Sequence, residues 1–307
     1  ILSYTSSGKA IYLNVQQGVI TKVFIMETIE NCVDAAIAEL RTNIKDIIHE
    51  DSLYGDEFYL LRWLKVSNMK VKKAEKYLRS TAKWRKELDV SSMYNGSFPD
   101  GWLESMPIYA DAVTNSGSLA ASVQAGLVDI RGILEERGRA NVVKLLVQAF
   151  VQAERVLVEL NRNRFGGEFL TENSVEGGTM ILDMNNFQAR HLGSLQVLQT
   201  VGEVCKIIVK YFPVLGARII VLNCNSFATV ILKIIRSILE SPSLVFEVYG
   251  QDKSEWQDSI TSQIPSHLIR DVFGGTRPTE EKIRRDTLVD TRALLSYARD
   301  LQRISTD

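Results

Sequence analysis

The chain has 307 residues, of which 45% are hydrophobic and 24% charged, and 36 basic against 37 acidic side chains give a net charge of −1. This is the composition of an ordinary globular protein, and it excludes a disordered, collagen-like or disulfide-rich chain. A net charge near zero also argues against a protein that coats nucleic acid, so we expect no nucleic-acid partner. The length suits one large domain together with a smaller one.

The three cysteines and three histidines are scattered singly, without the spacing of a metal site. An odd number of cysteines (Cys32, Cys205 and Cys224) favours a reducing, intracellular setting. No stretch reaches the roughly 18 apolar residues that a membrane span needs, and Lys9 and Lys22 interrupt the apolar run expected of a signal peptide. The sequence therefore predicts a cytoplasmic protein with no metal and no cofactor.

Helical periodicity dominates the first third of the chain. Residues 1–26 have no clear pattern and form an unassigned N-terminal arm. From Glu27, apolar residues recur every three or four positions, Asp56 is placed to cap a second helix, and a third helix is predicted from Val71 to Trp84. We assign residues 27–95 to an N-terminal helical domain.

A basic stretch lies inside this domain. Residues 62–87 contain ten Lys and Arg against two Glu, a net charge of +8 in a chain that sums to −1. Such a stretch is commonly the solvated face of a helix. The alternative is a surface that meets phosphate-rich lipid headgroups, because no DNA-reading motif accompanies it.

The pattern changes after a Gly- and Pro-containing linker near residues 91–106. Two strands, 108–113 and 119–128, flank an Asn-Ser-Gly turn, and a long helix follows over 141–160. On that helix the polar side chains form one narrow stripe: Lys144, Gln148, Gln152, Arg155 and Glu159. Most of its circumference is therefore expected to be covered.

Strands and helices then alternate. Strands are predicted at 179–184, 218–223 and 244–249, with helices at 195–211 and 227–239 between them. Continuously apolar strands in this order predict an α/β fold, with a largely parallel five-strand sheet covered by helices, next to the N-terminal helical subdomain. We assign residues 96–276 to this domain and 277–307 to a C-terminal helical tail.

The sequence lacks the usual constellations of an α/β enzyme. It contains no Gly-rich phosphate-binding motif and no G-x-S-x-G elbow. Asp183, at a predicted strand end, is more typical of a capping residue than of a catalytic carboxylate. We therefore expect that the protein is not an enzyme.

Two helices carry more apolar surface than one sheet face needs. Helix 227–239 has a single polar stripe, as does helix 141–160, and the remaining turns are apolar. An internal apolar pocket would accommodate the excess, and a lipid would fill it. Burying an acyl or isoprenoid chain contributes about 0.8 kcal/mol per CH₂ group.

Several motifs, in order, resemble those of the CRAL-TRIO lipid-binding family, which includes cellular retinaldehyde-binding, tocopherol-transfer and SEC-fourteen-like proteins. The matching segments are Asp56-Glu57-Phe58-Tyr59-Leu60-Leu61-Arg62-Trp63-Leu64, Gly178-Thr179-Met180-Ile181-Leu182-Asp183, Tyr211-Phe212-Pro213, Arg218-Ile219-Ile220-Val221-Leu222-Asn223 and Val272-Phe273-Gly274-Gly275-Thr276. Together they extend over about residues 30–276.

The resemblance implies a pocket that holds one hydrophobic molecule, closed by a mobile lid at 227–239. It implies ligand contacts from the long helix, from two strands and the loop after one of them, and from the lid: Leu146, Ala149, Phe150, Ala153, Met180, Leu182, Phe187, Ile219, Val221, Phe227, Val230, Ile231, Ile234, Ile235 and Leu239. It also implies transient contact with an anionic membrane or phosphoinositide through Arg218, Lys233 and Arg236.

The departures from the family pattern concern the choice of lipid. Phosphatidylinositol-binding members carry a Glu and a Lys where this chain has Val214 and Val245. We therefore expect a carrier of one small neutral lipid, such as a retinoid or tocopherol, that is peripherally associated with membranes. The alternative is a phosphatidylinositol- or phosphoinositide-binding transfer or regulatory module, in which the basic stretch docks at membranes.

Overall fold

The computed structural model describes residues 32–191, 194–239, 244–279 and 288–306, together with the backbone of 2–4 and 10–12. Two short strands, β1 (Leu2–Tyr4) and β2 (Ala10–Tyr12), pair antiparallel. The rest of the predicted N-terminal arm lies outside the described residues. None of the described helices combines the length and the apolar character that crossing a bilayer requires.

Among the described residues of the N-terminal part, the α-helices are α1 (residues 32–43), α2 (Glu57–Val66), α3 (Val71–Glu87) and α4 (Val90–Met93). Asp56 caps α2 as predicted, since its Oδ1 accepts a hydrogen bond from the Tyr59 N–H at 3.0 Å. The apolar stripes of α1, α2 and α3 meet in one core that includes Leu40, Phe58, Trp63 and Leu78, whereas α4 packs in a separate cluster with α7. This burial is what the helical periodicity predicts.

The sheet contains β3 (Ile108–Val113), β4 (Leu119–Val123), β5 (Gly178–Asp183), β6 (Gly216–Leu222) and β7 (Val245–Val248). Its order is β3-β4-β5-β6-β7, with β3 antiparallel to β4 and every other pair parallel. The predicted five-strand, largely parallel sheet is confirmed. The second strand ends at Val123 rather than at 128 because the chain turns into a 3-10 helix at Ala125–Leu127.

Seven further helices surround the sheet or connect its strands: α5 (Trp102–Ser105), α6 (Ile130–Arg137), α7 (Arg139–Phe165), α8 (Leu195–Tyr211), α9 (Ser226–Leu239), α10 (Lys253–Thr261) and α11 (Thr291–Thr306). Helix α7 packs against β4, against α2 and α4 of the N-terminal part, and against α8 and α11. It is the longest of the described helices, and it joins the two parts of the protein.

The polar stripe of α7 faces the N-terminal part. Gln148 donates to the carbonyl of Gly96 at 2.8 Å, and Gln152 donates to the same carbonyl at 2.9 Å. Two residues after Gln152 and outside the stripe, Glu154 is fully buried and pairs with Arg85 of α3 at 2.8 Å. These polar side chains of α7 therefore satisfy backbone and charged groups at an internal boundary, where unpaired polar atoms would be costly.

The basic stretch 62–87 is only partly a surface. Arg62 and Arg85 are buried, and Lys65 donates to the carbonyl of Val175 at 2.9 Å. Arg79 pairs with Asp46 and Glu75, and Lys86 pairs with Glu50. Half of its ten cations thus have partners inside the protein or are buried, which the sequence pattern alone does not reveal.

Candidate functional site

The two faces of the central strand β5 are covered to different degrees. Thr179, Ile181 and Asp183 are buried, with 7%, 2% and 6% of their surface exposed, whereas Met180 and Leu182 on the other face are half-buried. A side chain in the middle of a five-strand sheet keeps accessible surface only if the layer above it leaves room. The half-buried face of β5 is therefore the candidate site.

The strand register extends this face across three strands. Met180 pairs with Ile219 of β6, and Leu182 pairs with Val221. On the next strand, β7, Ile219 pairs with Phe246. Because side chains alternate along a strand, these five residues lie on one face of the sheet. It is a continuous apolar floor.

Helix α9 packs over this floor. Ile231 is 5% exposed and lies in one apolar cluster with Val221 of the sheet, while Leu182, Ile219 and Ile235 pack at its edge. Ile231, Ile235 and Leu239 follow one another at intervals of four, so they share the inward side of the helix. The structure brings these residues of the predicted lid together with the predicted strand residues.

The remaining predicted residues of α9 are more exposed. Phe227 is 46% exposed and Val230 is 52% exposed, while Ile234 is half-buried beside them. Val209 of α8 is also largely exposed. Helix α9 thus has an inward apolar side against the sheet and an apolar flank open to solvent.

The start of α9 is fixed to the loop that follows β5. The side-chain oxygen of Asn225 accepts a hydrogen bond from the Ala228 N–H at 2.9 Å, which caps the helix. The amide of the same side chain donates to the carbonyl of Phe187 at 2.7 Å. Phe187 is buried in the cluster beneath the helix. One asparagine therefore both begins α9 and ties it to the site.

The predicted residues of α7 divide between two clusters. Ala149 belongs to the main core, and Leu146 and Ala153 pack at its edge together with Met180 and Leu182. Phe150 instead packs against Phe212 with ring centroids 5.8 Å apart, in the cluster that joins α7 to α4 and α8. Phe150 therefore belongs to the boundary with the N-terminal part.

The three predicted basic residues do not form one group. Lys233 and Arg236 are exposed on α9. Arg218 lies on the opposite face of the sheet from Ile219, where it pairs with Glu247. Glu247 in turn accepts a hydrogen bond from Ser259 of α10 at 2.5 Å. The structure thus gives Arg218 an internal partner on the face away from α9.

Several residues at the site have no counterpart in the sequence prediction. Phe246 continues the sheet floor, and Leu198 and Val201 of α8 pack against the α9 cluster. Strand alternation in 245–248 could have indicated Phe246 as a residue of the floor. Once β7 is placed beside β6, Phe246 lies next to Ile219 on the same face of the sheet. No comparable signal identifies the α8 residues, since their role depends on where α8 crosses the sheet.

The polar residues near the site have structural partners. Asp183 accepts hydrogen bonds from the Asn185 N–H at 2.8 Å and from the Asn223 side chain at 2.7 Å, which ties the ends of β5 and β6 together. His191 accepts from the Gln188 N–H at 2.9 Å. Among the described residues, no group of three His, Cys, Asp or Glu side chains is arranged to hold a metal ion.

Burial also determines the state of the cysteine on α8. Cys205 is 6% exposed, and loss of hydration of the charged form raises the pKa of its thiol to about 11. The thiol therefore stays protonated near neutral pH and contributes as a small apolar group.

Comparison with known families identifies the α/β part. Residues 107–275 match the family model described as the CRAL/TRIO domain. This range is more than half of the chain, and it contains the five-strand sheet together with α6 to α10.

Two curated relatives are similar over most of the chain. A CRAL-TRIO domain-containing protein of Caenorhabditis elegans is 22% identical over 261 residues, which cover 81% of this chain and 60% of that protein. The protein real-time of Aedes aegypti is 21% identical over 266 residues, 79% of this chain and 37% of its own length. The chain thus spans between 37% and 60% of the length of these two relatives.

A solved structure supports the same fold. The crystal structure of Sfh5 matches 90% of this chain and 98% of its own, with a TM-score of 0.53 and 12% sequence identity. The match extends beyond the α/β part into the N-terminal helices, because it covers nearly the whole chain. At this identity the likeness shows the fold.

Proposed function

This chain belongs to the CRAL-TRIO family, and on that basis we propose that it binds one small neutral lipid between α9 and the sheet and carries it between membranes. The family implies a domain for small hydrophobic ligands. The finer proposal is that the ligand is neutral, of the size of a retinoid or tocopherol, and that the protein is a cytoplasmic carrier that meets membranes transiently.

One observation carries this proposal. The middle strand of the sheet, β5, leaves Met180 and Leu182 half-buried on the side that α9 covers, whereas its other side is closely packed. An apolar ligand that occupied this space would remove the remaining apolar surface from water. At about 25 cal/mol per Å² of apolar surface buried, such a ligand binds without any charged contact.

Two positions that the sequence resemblance singles out favour a neutral ligand. Val214 and Val245 occupy the positions where the sequence resemblance places the Glu and Lys of phosphatidylinositol-binding members. Arg218 lies on the sheet face away from α9 and is already paired with Glu247. A phosphorylated inositol headgroup would therefore meet apolar side chains at both positions, and leaving its charges unpaired would be costly.

The direct test is to identify what the purified protein holds. Native mass spectrometry of protein purified without detergent should show one co-purifying lipid per chain, or one retinol taken up from cyclodextrin. Lipid extraction and mass analysis then give its identity. If no hydrophobic molecule binds in either experiment, the proposal is wrong.

A pair of adjacent substitutions tests the position of the ligand. Ile231→Asp places a charge on the inward side of α9, whereas Val230→Asp places the same charge on its 52% exposed flank. We expect Ile231→Asp to abolish retinol loading and Val230→Asp to retain it. Circular dichroism and thermal unfolding of both variants check that the overall fold is retained. Equal loading by the two variants would contradict the assignment of α9.

We also propose that the protein does not transform its ligand. Asp183 at the end of β5 and His191 beyond it bind backbone and amide groups of the surrounding loops. The mass of retinol recovered after prolonged incubation with the protein should be unchanged. Recovery of an oxidised, esterified or hydrolysed product would show that the protein is an enzyme.

A further inference from the structure

The exposed side of α3 carries a row of lysines far from the sheet face. Lys72, Lys76 and Lys83 are exposed and lie four and seven residues apart, so they follow one side of the helix. Lys73 is exposed one step around the helix, with its ammonium 5.5 Å from the centre of the Tyr77 ring. We call Lys72, Lys73, Lys76, Tyr77 and Lys83 the α3 lysine surface.

These lysines differ from the other cations of the basic stretch. Arg79 lies in the same row but is held by Asp46 and Glu75. Across residues 32–191, 194–239, 244–279 and 288–306, no carboxylate lies within ion-pair distance of Lys72, Lys73, Lys76 or Lys83 in the structure. Four like charges on neighbouring turns repel one another, so the arrangement does not serve the stability of α3.

The start of α3 is also unfavourable for positive charge. Its first turn contains Lys72 and Lys73 and no acidic residue, and the residue that precedes the helix is Lys70, which makes no side-chain cap. The amino end of a helix carries a partial positive charge, which favours anions and disfavours cations. A negatively charged surface placed against α3 would offset both this effect and the repulsion between the lysines.

Aromatic side chains connect this surface to the helix that supports α9. Tyr77 is 41% exposed, and Trp84 lies two turns further along the same side of α3. Trp84 stacks on Tyr211 at the end of α8, with ring centroids 3.9 Å apart. The ammonium of Lys210 lies 4.8 Å from the centre of the Tyr211 ring. Helix α8 then packs along α9.

We propose that the α3 lysine surface docks the protein on anionic lipid bilayers. Lysines attract the anionic headgroups, and amphipathic rings such as that of Tyr77 favour the level between headgroups and acyl chains. This mixture of charge and aromatic surface favours a bilayer over an acidic protein or a nucleic acid. The proposal rests on the proposed function only for its purpose, since docking itself requires no ligand in the site.

The test is vesicle binding with matched charge changes. The full chain is sedimented with vesicles of phosphatidylcholine, with or without phosphatidylserine, at low and high salt. One variant carries Lys72→Gln, Lys76→Gln and Lys83→Gln. A control carries Lys45→Gln, Lys144→Gln and Lys253→Gln, three exposed lysines elsewhere, so that both variants lose the same net charge.

We expect the wild type and the control to bind vesicles that contain phosphatidylserine, and raised salt to weaken that binding. The α3 variant should bind at least tenfold more weakly at low salt, because each lysine near an anionic surface contributes separately. Its melting temperature should be equal to or above that of the wild type, since it has lost repulsion within α3. A variant that is both less stable and less bound would contradict docking, as would equal losses in both variants.

Two further outcomes are decisive. Unchanged vesicle binding by the α3 variant would overturn the proposal, and so would binding to heparin by a wild type that ignores the vesicles. Retinol delivered from cyclodextrin should load equally into the wild type and the α3 variant. If the wild type takes up no retinol, the carrier function is contradicted. The docking proposal would still be decided by the vesicle-binding result.

Discussion

The side-chain amide of Asn225 donates to the carbonyl of Phe187 at 2.7 Å and so fixes the first turn of α9 to the loop after β5. The other end of the same side chain caps α9 through the Ala228 N–H. One residue therefore both begins the helix and ties it to the loop beside the sheet floor, which makes it a suitable place to test whether α9 must move.

We expect Asn225→Ala to loosen α9 without unfolding the protein. Loss of a helix cap costs about 1 kcal/mol, and loss of the bond to Phe187 costs a similar amount. Amide hydrogen exchange in 226–239 should accelerate, and retinol should exchange faster. Asn115→Ala is a suitable control, because that amide also donates to a backbone carbonyl, that of Ser262, but away from α9. Unchanged exchange in α9 would contradict the anchoring role.

Adjacent residues of β5 test the space above the sheet. Met180→Trp adds volume on the half-buried face, so it should cost less than about 1.5 kcal/mol of stability while reducing retinol uptake. Ile181→Trp adds the same ring to the closely packed face, where Ile181 is 2% exposed, and overpacking there should cost about 1–3 kcal/mol or more. Urea unfolding measures both variants. Equal destabilisation would show that the face under α9 has no spare room.

The buried pair between α3 and α7 should be important for stability. The side chains of Arg85 and Glu154 are 2% and 0% exposed, and a guanidinium nitrogen of Arg85 lies 2.8 Å from a carboxylate oxygen of Glu154. Glu154→Gln removes the charge and leaves Arg85 with Asp51 at 3.4 Å, so we expect a loss of about 3 kcal/mol. Glu135→Gln, which breaks the exposed pair with Arg131, should cost far less, because water and salt screen a pair on the surface. Similar unfolding free energies for the two variants would contradict this difference.

Cys205 should make stability depend on alkaline pH. Burial raises the pKa of its thiol from about 9 to about 11. Because the folded protein holds this proton more tightly than the unfolded chain, the free energy of unfolding is at its full value below pH 9. It falls as the pH rises through 11. Two pKa units correspond to about 3 kcal/mol. Unfolding free energies between these pH values should fall more steeply for the wild type than for Cys205→Ala, and parallel curves would refute the assignment.

Two of the three cysteines, Cys32 and Cys205, should differ in reactivity. Cys32 is exposed and Cys205 is buried. A thiol reagent at pH 8 should modify Cys32 rapidly and Cys205 only on unfolding. In the folded protein the reagent cannot reach Cys205, and the Cys205 thiol remains protonated. Peptide mass analysis of the labelled protein measures this. Rapid labelling of Cys205 in the folded protein would show that α8 opens readily.

Local patterns predict most of the fold. The helix Leu195–Tyr211 matches its predicted span, and Asp56 caps α2 as its residue type and position indicate. The strands are recognised because parallel strands buried on both faces are continuously apolar. Hydrophobic period and capping residues act over a few positions, so one sequence is enough to reveal them.

The partners of charged residues could not be predicted in the same way. Arg85 and Glu154 are 69 residues apart in sequence, and nothing local marks either as buried. The basic stretch therefore looked like one surface, whereas folding separates it into buried, paired and exposed cations. Arg218 is similar, since only the position of β7 shows that Glu247 lies beside it. Pairing across the fold depends on the three-dimensional arrangement of elements.

The core of the N-terminal helices is completed by residues from elsewhere. Val158 of α7, with Leu170 and Val175 of the following segment, belongs to the same apolar cluster as Leu60 and Trp63. Cutting the chain at residue 96 would therefore expose the apolar surface of this cluster on both fragments. We expect that neither fragment folds on its own and that the two parts melt in one cooperative transition. Any exchange of the N-terminal part between relatives must carry its matching α7 surface with it.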